Sequence, residues 1–266
     1  MTRADAGTLR AFAVELSRSA TATIAHACAK PAESTTKVDA GDWVTPFDRA
    51  VDADVRARIA ARYPTHAVVG EELGRGDGAV DAELTWQVDP IDGTLNFVHG
   101  LPWVAFSAAV SDAQGVVAGV VADAFRGIVY SAQRGGGAFV DEVAVRCASV
   151  DRIAGGVFLT EWSRQAPWRD MHRYLDRIAD HAAGTRIMGS SALALALVGA
   201  GRASGAILGG HYNRWDVDAG ALIAREAGAS IYGRTGPHAG VPMDGILAAP
   251  SGVADALWRA WTAGEP

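Results

Sequence analysis

The chain has 266 residues, 49% of them hydrophobic and 20% charged, with a formal net charge of −6 at pH 7. That length can bury one large core or two fused ones, and the lack of a Lys/Arg-rich tract argues against nucleic acid as a main partner, because phosphate backbones require concentrated positive charge. No apolar run is long enough to span a membrane, Met1-Thr2-Arg3-Ala4-Asp5 lacks a signal-peptide layout, and Cys28 and Cys147 form no CxxC pair, so the expectation is a cytoplasmic protein with no membrane partner and two ordinary buried thiols.

An Ala-rich helical pattern covers residues 7 to 28, and after a loop from Pro31 to Ala40 a second helix starts at Thr45. Thr45 suits the N-cap, Pro46 the first helical position and Asp48 the third, which is the arrangement of a capping box. Phe47, Val51, Val55 and Ile59 then recur at four-residue spacing to give one apolar face, and Tyr63-Pro64 ends the helix. Ala67 to Gly70 reads as a short buried strand running into Glu71-Glu72, and the turn-rich stretch 74 to 83 as a mobile surface loop. The apolar run Leu84 to Val88 reads as a strand that ends in Asp89-Pro90-Ile91-Asp92-Gly93-Thr94-Leu95-Asn96-Phe97.

From Trp103 to Val145 the pattern is strand, turn, strand, with a break at Gly135-Gly136-Gly137, which predicts an antiparallel meander and an α+β first half. Later, strands and helices alternate: Val157 to Thr160, an amphipathic helix from Pro167 to His181, Thr185 to Met188, Ser191 to Val198, Ser204 to Leu208, a helix from Trp215 to Ala227, Ser230 to Tyr232, Ile246 to Ala249, and a last helix to Trp261. That is α/β organisation. No Pro/Ser-rich linker separates residues 1–148 from 149–266, so the two parts are expected to pack as one unit.

The acidic motifs carry the chemistry. Two carboxylates three positions apart at a strand end, followed by Gly and Thr, put hard anionic oxygens beside backbone N–H groups and a hydroxyl. That suits Mg²⁺ and a phosphate together, with Gly letting a phosphate oxygen approach the main chain; the alternative for these residues alone is an Asp-Pro/Asp-Gly turn. Glu71-Glu72 is a second carboxylate pair at a strand end, and Asp216 falls in the first turn of its helix, where the dipole favours an anion or a simple helix-start residue. An acidic protein that binds phosphate must find positive charge elsewhere, and bound cations supply it.

The run DPIDGTLNFVHG from Asp89 to Gly100, preceded by Gly70-Glu71-Glu72 and followed by Trp215-Asp216-Val217-Asp218-Ala219-Gly220, resembles the inositol monophosphatase family of Mg²⁺-dependent, lithium-sensitive phosphatases. The resemblance extends from Lys37 to Pro250. It implies a layered αβαβα sandwich of the sugar-phosphatase type, a homodimer, and hydrolysis of a small polyol or sugar phosphate, inositol-1-phosphate first, by attack of water. It also implies roles for residues. Glu71, Asp89 and the Ile91 carbonyl would hold one Mg²⁺, and Asp89, Asp92 and Asp216 a second. Glu71 and Thr94 would orient and activate the water, with Asp48 accepting from the Thr94 hydroxyl. Phosphate would meet Asp92 and the Gly93 and Thr94 amides, while Gly189, Ser190 and Ser191 would meet the substrate alcohol. Asp48 could equally be a capping residue and Ser190 an N-cap; Lys37 and Asp42 align near a third, weaker metal position or are simply solvated.

One departure stands out. Family members acting on inositol phosphates carry a Glu seven residues before the helix Asp, where this chain has Gly209. Either His211, Asn213 or Arg214 takes over, or the alcohol is not inositol, which leaves histidinol phosphate or another sugar or nucleotide phosphate as alternative substrates. A regulatory protein that keeps the fold is a third reading, against which the intact set Glu71, Asp89, Asp92 and Asp216 argues.

Overall fold

The structure, a computed structural model, describes residues 5–28, 35–36, 43–76, 82–162, 166–181 and 183–263. Helix α1 (Ala6–Cys28) packs beside α2 (Pro46–Arg62), with the two-residue strands β1 (Thr35–Thr36) and β2 (Trp43–Val44) between them in sequence. Helix α2 starts as its sequence dictates: the Thr45 side chain accepts from the Phe47 and Asp48 N–H groups, and Asp48 accepts in return from the Thr45 N–H. Its apolar stripe, Val51, Val55 and Ile59, is buried.

The first sheet contains β3 (Ala67–Gly70), β4 (Gly74–Arg75), β5 (Thr85–Asp92), β6 (Ala105–Asp112), β7 (Gly115–Asp123), β8 (Val129–Gln133), β9 (Gly137–Val140) and β10 (Val143–Val145), with the short helix α3 (Thr94–Val98) between β5 and β6. Its order is β10-β9-β8-β7-β6-β5-β3-β4, and every pair is antiparallel except β3 with β5. The second sheet and its helices are β11 (Val157–Thr160), α4 (Met171–Ala179), β12 (Gly184–Ile187), α5 (Ser191–Gly199), β13 (Gly205–Leu208), α6 (Arg214–Glu226), β14 (Ala229–Gly233), β15 (Gly236–Pro237), β16 (Ile246–Pro250) and α7 (Ser251–Thr262). Its order is β12-β11-β13-β16-β14-β15. The alternation of strands and helices shows as parallel pairing of β11 with β12 and β13, but β16 inserts antiparallel between β13 and β14 and makes the sheet mixed.

Five layers result: α1 and α2, the first sheet, α5 and α6, the second sheet, then α4 and α7. Strand β6 shows how the sequence achieves this. Phe106, Ala108 and Val110 join the core under α1 and α2, whereas Ala105 and Ala109 join the core that also contains α5, α6 and the inner face of the second sheet. Alternate side chains of a strand point to opposite faces, and both faces here are covered, so the strand reads as continuously apolar. A third core lies between the second sheet and α4 and α7.

The structure differs from the sequence expectations in a few places. Gly74 and Arg75, expected in a loop, form β4 against β3, while the middle of that stretch, like Lys37 and Asp42, lies outside the described residues. Helix α4 begins at Met171 rather than Pro167, because Asp170 takes a left-handed φ of 60° and Trp168 is drawn into the core, its indole N–H donating to Thr160 Oγ1 at 3.2 Å. The Cys147 thiol is free but half-buried, not fully buried. No helix among the described residues is long and apolar enough to cross a membrane.

Candidate active site

The parallel pairing of β3 with β5 sets the first carboxylates side by side. Gly70 is in register with Val88, and the Glu71 N–H donates to Val88 O at 3.1 Å, so Glu71 leaves its strand next to Asp89. The turn after Glu71 is fastened from α2: buried Asp52 accepts from the Leu73 N–H at 3.0 Å and from Arg56 Nε at 2.6 Å, and Arg56 also donates to Gly74 O.

Asp89 and Asp92 are an odd number of residues apart, which on a regular strand would point them to opposite faces. A bulge removes the conflict. Asp89 is opposite Ser107 and Asp92 opposite Ala105, so β5 spends three residues where β6 spends two, and the extra residue reverses the alternation. Both carboxylates are buried. The third arrives with α6: Ser107 Oγ donates to Trp215 O at 3.1 Å, which ties the first turn of α6 to the residue facing Asp89 and delivers Asp216, half-buried. Burial first, then the negative charges of Glu71, Asp92 and Asp216, push the Asp89 carboxyl well above its ordinary range, and Asp89 hydrogen-bonds with Glu71. Two acids sharing a bond in a partly buried group of carboxylates mark a place where positive charge is wanted.

The remaining expected residues gather around this cluster. Thr94 Oγ1 lies 3.2 Å from Asp48 Oδ1 and 3.0 Å from Ile91 O, and its single proton can serve one of them at a time. Asp48 Oδ2 accepts from the Thr45 N–H and hydroxyl, so this one carboxylate caps α2 and faces Thr94 as well; its burial raises its pKa, opposed by the Thr45 bonds. Asp92 reaches across to α5, accepting from Ser190 Oγ at 2.5 Å, Ser191 N at 3.2 Å and Ala192 N at 2.8 Å. Burial pushes Asp92 up to about 6 against those three bonds. Ser190 is the N-cap of α5 and contacts Asp92 at the same time. Asp216 reaches back to the Asn213 N–H at 2.6 Å. Among the described residues, no group of three or more His, Cys, Asp or Glu side chains is arranged to hold a metal ion.

Gly93 has φ +92°, and a Cβ there would lie 2.8 Å from both Gly189 O and Trp103 O. Glycine is therefore needed for this close approach to the α5 loop, a different reason from the phosphate access expected from sequence. Gly209 is likewise forced, since a Cβ would lie 2.5 Å from the Trp168 ring. His211 is exposed; Arg214 is tied to buried Asp218 at 3.2 Å, on the side of α6 about 200° from Asp216 at 3.6 residues per turn. Sequence reading missed Asp52, Asn96, Ser107 and Glu161. Two of them had a visible signal: Glu161 is a carboxylate placed directly after a strand, as Glu71 is, and Asn96 lies inside the Asp89 to Phe97 motif.

A sequence profile of the inositol monophosphatase family matches residues 5–263. The chain belongs to that family. An inositol-1-monophosphatase from Mycobacterium leprae is 38% identical over 236 residues, covering 82% of this chain and 78% of that one. A Nus factor SuhB from Pseudomonas aeruginosa is 36% identical over 214 residues, 77% of each chain. Among solved structures, the extragenic suppressor protein suhB from Bartonella henselae superposes with a TM-score of 0.88 at 28% identity, covering 94% of this chain and 97% of that one, and a Thermotoga maritima IMPase with a TM-score of 0.84 at 27% identity, covering 94% and 95%. This inositol monophosphatase family member is thus a phosphatase with the family's layered fold, and the family is metal-dependent.

In chemical type, though not yet in arrangement, the donor set suits such a metal. Carboxylates and a peptide carbonyl are the hard oxygen ligands that Mg²⁺ takes, and Asp89 sits buried among three like charges.

Proposed function

We propose that this phosphatase is Mg²⁺-dependent and hydrolyses a small polyol or sugar phosphate, with inositol-1-phosphate the leading substrate. The observation that carries the reading is the burial of Asp89 among Glu71, Asp92 and Asp216. Glu71, Asp89 and the Ile91 carbonyl would hold one Mg²⁺, and Asp89, Asp92 and Asp216 a second. When bound, Mg²⁺ supplies charge neutralisation for the phosphoryl oxygens and lowers the pKa of water.

The chain's own residues do the rest. Thr94, its hydroxyl between Asp48 and Ile91 O, orients the attacking water, and Glu71 takes its proton. Asp92 and the Gly93 and Thr94 amides receive the phosphate, with Gly189, Ser190 and Ser191 on the alcohol side. In the test, chelator-treated protein is given a panel of phosphate monoesters with and without Mg²⁺, beside Asp89→Asn. Activity should need Mg²⁺ and fall at least about 100-fold in the variant. Full activity of Asp89→Asn, or of metal-free protein, would sink the proposal.

A second reading of the alcohol rests on Gly209, packed by Trp168 so that no side chain can project there. Without a carboxylate at that point, histidinol phosphate or another sugar phosphate competes with inositol-1-phosphate, and kcat/KM across the same panel decides between them. The relatives named Nus factor SuhB support a regulatory role beside catalysis, which Asp89→Asn would leave in place.

A further inference from the structure

Glu161 directly follows β11, and although it is a carboxylic acid it is only 6% exposed. Its oxygens accept from the Met188 N–H at 3.3 Å and the Gly189 N–H at 2.5 Å. The carbonyls of the same two residues face Asn96 of α3, whose two Nδ2 protons serve Met188 O at 2.8 Å and Trp103 O at 2.9 Å, with Gly189 O sharing one of them at 3.3 Å. Gly189 has φ +74°, and a Cβ on it would come within 2.7 Å of Asn96 Nδ2, so the segment is gripped on both sides without slack. The next three residues, Ser190, Ser191 and Ala192, are those that donate to both oxygens of Asp92.

We infer that Glu161 is a positioning residue for the metal site: by holding the amides of Met188 and Gly189 it fixes the start of α5, and through it the orientation of Asp92. The inference rests on the reading of Asp92 as a Mg²⁺ ligand. A purely structural Glu161 would satisfy the same two N–H groups but would leave metal affinity untouched. Partners that orient a ligand are worth about 10–100-fold in metal affinity.

The test uses full-length, chelator-stripped protein titrated with Mg²⁺ by calorimetry, together with amide hydrogen exchange over residues 188 to 192. Glu161→Ala should bind Mg²⁺ about tenfold more weakly and exchange faster in that segment. Glu161→Gln keeps a carbonyl to accept from Gly189 but turns an NH₂ group onto the Met188 N–H, so its Mg²⁺ affinity should fall between those of wild type and Glu161→Ala. Asp92→Asn separates the two ideas. Should it lose Mg²⁺ affinity while Glu161→Ala keeps it, the positioning role is wrong and the metal reading stands; should Asp92→Asn itself bind Mg²⁺ as wild type does, the metal reading fails. If the alanine variant does not fold, Glu161→Asp, too short to reach both amides, replaces it, and wild-type Mg²⁺ affinity there overturns the inference.

Discussion

At the scale of single residues, Glu161 also makes the metal-free protein sensitive to pH. Burial, with Asp92 adding to it, pushes its carboxyl from 4.5 up to about 8, while the bonds from Gly189 and Met188 pull the other way. Because the folded state holds this proton more tightly than the unfolded chain, its contribution is complete below about pH 4.5 and is lost as pH rises towards 8, at up to about 1.4 kcal/mol per pH unit. Urea midpoints of chelated protein should therefore fall from pH 5 to 8, and Glu161→Gln should make the fall shallower, most clearly above pH 6 where Asp92 has already titrated. An identical slope in the variant would rule this out. Asp89 and Asp92 were legible in the sequence because they are neighbours in a single motif. The bulge that turns them to one side was not, since it depends on the register with β6. Asn96 stood inside the motif unnoticed because its partners, Met188 and Gly189, come from the other half of the chain.

At the scale of elements, α5 and α6 cross so closely that small residues are required. Helix α5 buries Ala192, Leu193, Ala194, Leu195, Ala196 and Val198, apolar on all sides because it is enclosed by two sheets and α6. At Gly220 of α6 a Cβ would come within 2.7 Å of Leu195 Cβ and 2.9 Å of Ala192 O. Gly220→Ala should thus destabilise by about 1–3 kcal/mol despite the better helix propensity of Ala, lowering the Tm by about 2–4 °C for each kcal/mol in scanning calorimetry. An unchanged or higher Tm would show that the helices have room. The start of α2 at Thr45 could be read from its local chemistry, and so could the place of Asp216 in the first turn of α6, although that helix begins one residue earlier than expected, at Arg214 behind an Asn213 N-cap. The start of α4 could not, since Trp168 is taken by Thr160 and the core, and the mixed second sheet could not, since alternation says nothing about where β16 inserts.

At the scale of the molecule, one core joins both sheets through α5 and α6, although the strands of the first sheet all come from before residue 146 and those of the second from after residue 156. Cutting into that shared core should weaken both sheets together. Leu195→Ala, at a fully buried position, should cost about 2–5 kcal/mol and speed hydrogen exchange in β7 and β16 alike. Protection lost in one sheet alone would mean that the two parts unfold independently. The layers as a whole were anticipated by the family resemblance and by the change from meander to alternation, both spread along the entire chain.

The bond from Asp92 to the start of α5 has a consequence for biosynthesis. As the polypeptide leaves the ribosome, the strand bearing Asp89 and Asp92 emerges long before the three donors that hold Asp92, and Asp216 later still. Under the proposed reading, a product terminated before Asp216 lacks part of the metal site and is inert towards phosphate esters, so hydrolytic power is switched on only once α6 has emerged.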